Sequence, residues 1–244
     1  MKKTSGWAVA ASVIAMLLLL VGLLLTCFMR TVFDRSFVDR EMQKYGVAES
    51  IGMDQKSLME LYDELLKYLE GRRDNLDITV TRYGVEQPAF HEKELLHMVD
   101  VEVLFHKCLL IRNIGVPVGL LLVLAVMLIR HKNPDGSVSS NREALRKGFR
   151  WATGIFFGAV AVLAIAIIVD FDDAFILFHR LLFTNDLWQL NYNTDLLMNI
   201  VPEKFSHDVA LRTVVYFAIA FTALVGLIGI HWKKTEKKNK VNTA

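Results

Sequence analysis

The stretch that decides the fold is WAVAASVIAMLLLLVGLLLTCF at residues 7–28, which contains no charged side chain. A helix needs about 20 apolar residues to cross the ~30 Å hydrocarbon core of a bilayer, so this run predicts a transmembrane helix. Lys2 and Lys3 precede it as they would in a signal peptide. The apolar region is too long for a signal peptide, however, so we expect an uncleaved anchor.

Three further uncharged runs follow at 113–129, 151–169 and 213–230, and the second can begin near Cys108 if Arg112 faces the helix bundle. The sequence therefore predicts an all-α integral membrane protein with four transmembrane helices in a single membrane domain. The predicted segments are a first span at 7–28, a mainly helical extracytoplasmic cap at 29–107, a second span at 108–129, a cytoplasmic loop at 130–150, a third span at 151–169, an extracytoplasmic loop at 170–210, a fourth span at 211–230 and a cytoplasmic tail at 231–244.

The charges between the runs predict the orientation. The 130–150 loop carries six basic and two acidic residues and the tail five lysines and one glutamate. Residues 30–107 carry eleven basic and sixteen acidic residues, and 170–210 carry two and seven. The positive-inside rule then predicts that both termini are cytoplasmic. The formal net charge of +2 reflects this topology and indicates no nucleic-acid partner.

The composition agrees with spans joined by large polar segments. The chain has 244 residues, of which 53% are apolar, and a mean hydropathy of +0.35. These values are high for a soluble domain and low for a chain made only of spans. We therefore expect a multi-pass protein of the cell membrane with substantial structure outside the bilayer.

Within the predicted cap, Ser57 and Glu60 have capping-box spacing and begin a helical pattern of apolar residues that ends at Gly71. Residues 77–81 are typical of a short extended piece. From residue 92 to residue 129 the pattern permits one long helix that runs from the cap into the second span. This helix would carry His97 two or three turns outside the hydrocarbon core.

A polar stretch, FHRLLFTNDLW at 178–188, begins only nine residues beyond the last apolar residue of the third span. An imidazole, a guanidinium, an amide and a carboxylate are costly to hold beside lipid, which favours a functional site over the anchoring of a helix end. A second histidine segment, LLHMVDV at 95–101, is predicted on the same side of the membrane. Together the two segments predict one site that contains His97 and His179.

Several other chemistries fit the sequence less well. The zinc-protease motif requires histidines four residues apart on a helix, whereas His91 and His97 are six apart. Cys27 and Cys108 are expected to be buried free thiols, and no serine elbow or phosphate-binding loop occurs. Acid-base chemistry by histidine remains, with no predicted metal or cofactor. A zinc site stays as an alternative, assembled from His91, Glu94, His97, His106, His179 and His207.

Four segments carry a resemblance to a known family. HMVDV at 97–101, FHRLLFTNDLW at 178–188, DLL at 195–197 and VPEKF at 201–205 are similar, in this order, to the lipoprotein intramolecular transacylase family, Lit. The resemblance implies a Gram-positive membrane enzyme whose partners are diacylglyceryl-modified lipoproteins and membrane lipids. It also implies that the sn-2 acyl chain moves to the α-amine of the amino-terminal cysteine of the lipoprotein, which gives the lyso-form.

The resemblance further implies that His97 and His179 are catalytic, at the extracytoplasmic face. It leaves open which imidazole is the base and which stabilises the oxyanion or protonates the leaving oxygen. An envelope protein that binds a metal or regulates a partner, without acyl transfer, remains the alternative. Six polar or aromatic side chains nearby are candidates for shaping the site: Asp100, Arg180, Asn185, Asp186, Trp188 and Asp195.

Overall fold

The computed structural model describes residues 5–132 and 138–241, so residues 133–137 of the predicted loop and 242–244 of the predicted tail lie outside it. The described chain contains nine helices and four short strands. They are α1 Gly6–Val32, α2 Arg35–Lys44, α3 Val47–Ser50, α4 Gln55–Leu69, β1 Thr79–Arg82, β2 Val85–Pro88, α5 Glu92–Leu128, β3 Arg130–Lys132, β4 Val138–Ser140, α6 Arg142–Val169, α7 Phe171–Leu182, α8 Leu196–Ile200 and α9 Glu203–Val241.

Four of these helices, α1, α5, α6 and α9, are long and apolar enough to cross a membrane. The predicted number of membrane helices is therefore confirmed by length and composition. Helix α1 lies at the centre of the bundle and packs against the other three. A Cβ atom at Gly148 would lie 2.2 Å from Ser12 Cβ, so α6 approaches α1 more closely than any larger residue would allow.

Residues 34–91, between α1 and α5, form a compact unit that is called the head below. Its core buries apolar side chains of α2, α3 and α4, among them Met42 and Leu58. Leu196 and Ile200 of α8 complete the same core and are each only 1% exposed. Helix α8, which follows the polar stretch at 178–188, therefore packs into the core of the head. The two predicted outer segments are in contact through this core.

Of the local predictions in the head, the start of α4 needs correction, whereas the end of its pattern and the extended piece are confirmed. Helix α4 begins at Gln55 and not at Ser57, because the carboxylate of Asp54 accepts a hydrogen bond from Ser57 N at 2.9 Å and caps the helix earlier. Gly71 does end the pattern, with a φ of +70° just beyond the helix. The extended piece at 77–81 is the first strand of a β1–β2 hairpin, whose second strand the sequence analysis did not identify.

Helix α5 runs unbroken from Glu92 to Leu128, as predicted, with Pro117 inside it. At 1.5 Å per residue a helix of 37 residues is ~55 Å long, so it is longer than the hydrocarbon core is thick. Its amino-terminal part packs against the head, and Met98 belongs to the core of the head. His97 therefore lies on the part of α5 that packs against the head.

Helix α7 lies in a segment that the sequence analysis treated as a loop. Asp170 interrupts α6, and its carboxylate accepts a hydrogen bond from Asp173 N at 3.0 Å, which starts the new helix. From there α7 continues to Leu182, and residues 183–195 connect it to α8 without regular helix or strand. This connection, called the site loop below, contains most of the polar stretch.

Candidate active site

His97 of α5 and His179 of α7 lie next to each other. Their ring centroids are 6.2 Å apart, although 82 residues separate them in the sequence. His97 is 7% exposed and His179 is 8% exposed, so both imidazoles are largely removed from solvent. Two buried histidines brought together from different helices are the strongest candidate for a reactive centre in the described chain.

Aromatic rings enclose the histidine pair. Phe183 packs edge-on against His97 at 5.5 Å between centroids and also lies 5.7 Å from His179. Trp188 stacks on His179 with 4.9 Å between ring centroids, and the ring of Phe175 lies 4.0 Å from that of His179 in a tilted arrangement. These rings exclude water from the imidazoles and leave few polar groups beside them.

One hydrogen bond defines the protonation of His179. Its Nδ1 atom lies 2.8 Å from the carbonyl oxygen of Phe175, one turn earlier in α7. Because a carbonyl oxygen can only accept, Nδ1 must be the donor and carries the proton. In the neutral ring the lone pair is therefore on Nε2, which is the form that a general base requires.

His97 has a different environment. Its buried Nδ1 atom has no hydrogen-bond partner among the described residues. Burial, assisted by the neighbouring His179, lowers the pKa of His97 to about 4, and burial also lowers the pKa of His179. Both rings lie outside the uncharged runs of the spans, and both are expected to be neutral near pH 7.

One face of α5 holds the site loop around the pair. Lys93 Nζ donates to the carbonyl oxygen of Gln189 at 2.5 Å, and Asn185 Nδ2 donates to Asp100 Oδ2 at 2.8 Å. His97 lies between these two contacts on the same face of the helix. Asp100, one turn after His97, thus accepts a hydrogen bond from the site loop.

The other predicted site residues lie at different distances from the chemistry. Trp188 contacts His179 directly, whereas Arg180 is exposed on the outer side of α7. Asp186 accepts a hydrogen bond from Gln189 Nε2 at 3.0 Å, and Asp195 accepts one from Asn191 N at 2.7 Å. These two carboxylates organise the loop itself.

Glu94 has a structural role that was not predicted from the sequence. This side chain is completely buried, and its two oxygens accept hydrogen bonds from His91 N at 2.8 Å and from Leu197 N at 2.7 Å. Burial raises its pKa, and the two backbone N–H groups oppose that change by stabilising the charged form. Its position three residues after the N-cap His91 was the available signal, since glutamate there completes a capping box.

The alternative zinc site is not assembled in this arrangement. Within the described residues, no three histidine, cysteine, aspartate or glutamate side chains are grouped closely enough to hold a metal ion. Of the six proposed ligands, Glu94 is occupied by backbone N–H groups. Cys27 is a buried free thiol, as predicted, whereas Cys108 is a free thiol that is only half-buried.

Solved structures provide a comparison for the whole architecture. The membrane integral lipoprotein intramolecular transacylase Lit from Bacillus cereus superimposes with a TM-score of 0.73 at 17% identity, over 94% of this chain and 98% of that one. A variant of the same protein with one histidine replaced by arginine gives 0.73 at 18% identity, over 95% of each chain. A variant with one histidine replaced by alanine gives 0.72 at 18% identity, over 94% of this chain and 96% of that one. At such identity the likeness establishes a shared fold.

Sequence comparison identifies the family. No curated protein sequence matches the chain. The family model described as lipoprotein intramolecular transacylase Lit, however, matches residues 12–206, which is well over half of the chain. The two histidine segments both fall inside this range. The chain therefore belongs to the lipoprotein intramolecular transacylase family Lit, and it is a multi-pass membrane acyltransferase.

Proposed function

We propose that this enzyme moves the sn-2 acyl chain of a diacylglyceryl lipoprotein to the α-amine of the lipoprotein's amino-terminal cysteine by histidine acid-base catalysis. The observation that carries the proposal is the buried pair of His97 and His179, 6.2 Å apart between ring centroids. The products are an amide on the cysteine and a free hydroxyl on the glycerol. The lipoprotein is thereby left in the lyso-form.

His179 is the base in this proposal. Its Nδ1 proton is engaged by the Phe175 carbonyl, so Nε2 is free to take a proton. A free α-amine has a pKa of ~7.7–8.0, so a fraction is already neutral near pH 7, and this neutral amine must lose one further proton to become an amide nitrogen. Nε2 of His179 accepts that proton as the nitrogen attacks the ester carbon.

His97 stabilises the negative charge that develops on the ester oxygen. A neutral imidazole donates one N–H, and a ring buried among apolar groups interacts more strongly with an oxyanion than it would in water. Nδ1 of His97 has no hydrogen-bond partner among the described residues, which supports this role because the atom remains available to the substrate. When the tetrahedral intermediate collapses, the imidazolium of His179 protonates the departing glycerol oxygen. The proton taken from the amine is thus returned, and the enzyme ends unchanged.

No acyl-enzyme intermediate is needed in this scheme. The amine and the ester belong to one substrate molecule, so holding them in contact supplies a high effective concentration. The conversion of an ester to an amide is favourable, which removes any requirement for a nucleotide or an acyl carrier. The protein then contributes orientation, exclusion of water and two imidazoles.

The proposed substrate reaches the site from within the membrane. The exposed apolar side chains of α7, among them Leu177 and Leu181, suit contact with lipid tails. The negative outer segments and the positive loop and tail support an extracytoplasmic position for the pair. In this arrangement the acyl chains stay in the bilayer while the cysteine amine meets the histidines.

The test uses the purified protein in phospholipid vesicles with a synthetic diacylglyceryl lipopeptide that carries an isotope-labelled sn-2 chain. Mass spectrometry should find the label on the cysteine nitrogen for the wild type. His97→Ala and His179→Ala should remove that product, whereas His106→Ala, an exposed histidine on the same α5 helix, should retain it. Label that stays on glycerol with the wild type, or undiminished transfer by both alanine variants, would refute the proposal.

A further inference from the structure

The buried carboxylate of Glu94 joins two parts of the chain that are far apart in sequence. One oxygen accepts from His91 N, at the start of its own helix, and the other accepts from Leu197 N, at 2.7 Å and 103 residues away. The side chain is 0% exposed, so neither contact is shared with solvent. Hydrogen bonds to a buried charged group are among the stronger ones in proteins.

This contact replaces a helix cap that α8 lacks. Asp195 is the N-cap residue of α8, but its side chain makes no capping hydrogen bond. It is directed instead to the site loop, where it accepts from Asn191 N and Thr194 Oγ1. The first backbone N–H groups of a helix need acceptors from elsewhere, and Glu94 supplies one for Leu197.

The contact also fixes one end of the site loop. The loop leaves α7 at Phe183 and enters α8 at Leu196, and between them it carries Trp188, which stacks on His179. Two hydrogen bonds between the loop and α5, through Lys93 and Asn185, involve exposed side chains. Phe183 packs on His97 where the loop begins, and the Glu94 contact is the buried hydrogen bond that holds the chain where the loop ends.

We infer that Glu94 is a positioning residue for acyl transfer, whose carboxylate anchors α8 so that the site loop presses Trp188 against His179. The inference rests on the proposed function for its activity measurements. Its structural part stands apart, because the position of Trp188 can be measured without turnover. Glu94 touches neither substrate nor reacting atoms in this scheme and acts through Trp188.

The experiment combines kinetics with the fluorescence of Trp188. Trp7, Trp151 and Trp232 are replaced by phenylalanine, so that Trp188 is the only emitter among the four tryptophans. Glu94→Gln and Glu94→Asp are then compared in this background. Glu92→Gln is the matched control, because Glu92 is an exposed carboxylate on the same turn of α5.

Glu94→Gln removes one acceptor and turns an amide N–H₂ toward a backbone N–H, so we expect kcat to fall by about ten-fold, with KM nearly unchanged. Glu94→Asp keeps the charge but reaches only one partner. Its kcat should be intermediate between those of Glu94→Gln and the wild type. Quenching of Trp188 by acrylamide should rise in the order wild type, Glu94→Asp, Glu94→Gln. Glu92→Gln should match the wild type in kinetics and quenching.

Two results would overturn the inference. One is wild-type kcat and wild-type quenching in Glu94→Gln. The other is that activity in both Glu94 variants falls only in proportion to the fraction of folded protein, as measured by thermal melting. Glu94 would then be a purely structural residue. If the wild type itself forms no lyso-form product, the proposed function fails, while the quenching series still decides whether Glu94 positions Trp188.

Discussion

His97 and His179 belong to the same site, but the helices that carry them differ in how deeply they are buried. Around His97, α5 packs against the head and buries Glu94, Met98 and Phe105 as well. In α7, His179 is the only buried residue, and Leu181 two positions later is 75% exposed. His97 therefore lies on a well-packed part of α5, whereas His179 lies on a short helix whose other residues are not buried.

The difference indicates how a membrane enzyme can be both ordered and accessible. A buried scaffold such as α5 keeps its ring in one position, which suits a group that stabilises developing charge. The α7 side has apolar residues facing outward, where lipid tails can approach. The site loop connects the two sides, and its contacts determine how firmly the edge is held.

The largest expected effect is the loss of either imidazole. General acid-base catalysis contributes about 10²–10⁴-fold and a single oxyanion donor about 10²–10³-fold, so we expect His179→Ala to lower kcat more than His97→Ala. Initial rates with the labelled lipopeptide measure both. A larger loss for His97→Ala would reverse the proposed division of roles while keeping the pair catalytic.

The contrast between the two helices predicts unequal losses of stability. Met98→Ala removes a side chain from the core of the head and should lower the free energy of unfolding by about 2–5 kcal/mol. Leu181→Ala removes an exposed side chain and should change it by less than about 0.5 kcal/mol. Chemical denaturation in mild detergent gives both values, and equal losses would show that α7 is packed as firmly as α5.

Acidification should lower the stability of the folded protein through His97. The pKa of His97 is about 4 in the folded protein against an ordinary 6.5, so the unfolded chain binds more protons between these values. Stability from this group is complete above pH 6.5 and is lost as the pH falls toward 4. His97→Gln should therefore flatten the decrease of Tm over this range. An unchanged slope in that variant would assign the decrease to other groups.

Removal of the ring that covers His179 should have a moderate effect. Aromatic contacts of this kind contribute about 0.5–1.5 kcal/mol beyond simple burial, so Trp188→Ala should lower kcat by roughly 3- to 10-fold. Trp188→Phe keeps a ring in place and should recover most of the activity. If both variants are equally impaired, the indole N–H, and not the ring face, is what the site requires.

The smallest effect is expected at an exposed tie of the site loop. Asn185→Ala removes the hydrogen bond to Asp100, and because this bond is exposed and both partners can bond to water instead, it contributes near the low end of the usual range, about 0.5 kcal/mol. We expect kcat to fall by no more than a few-fold, well below the effect of Trp188→Ala. A loss that equals His179→Ala would mean that this edge, and not the α5 scaffold, holds the reactive geometry.

Local patterns account for how much the sequence revealed. Four uncharged runs predicted the membrane helices, and the absence of proline from Glu92 up to Pro117 predicted the long α5. Helix α7 was not predicted, because its apolar residues follow a span directly and its start depends on the cap at Asp170. The second strand of the hairpin escaped because VEQP is too short and polar to indicate a strand.

The sequence by itself determined the membrane class, the number of long apolar helices and, through its motifs, the family and the two histidine segments. These follow from transfer free energies and residue spacing, which are local properties of the chain. Only the tertiary structure decided that His97 lies 6.2 Å from His179, that Asp100 binds Asn185, and that Glu94 caps α8. Such contacts join residues about 80 to 100 positions apart, and they form only when the head, α7 and α5 pack together and exclude water.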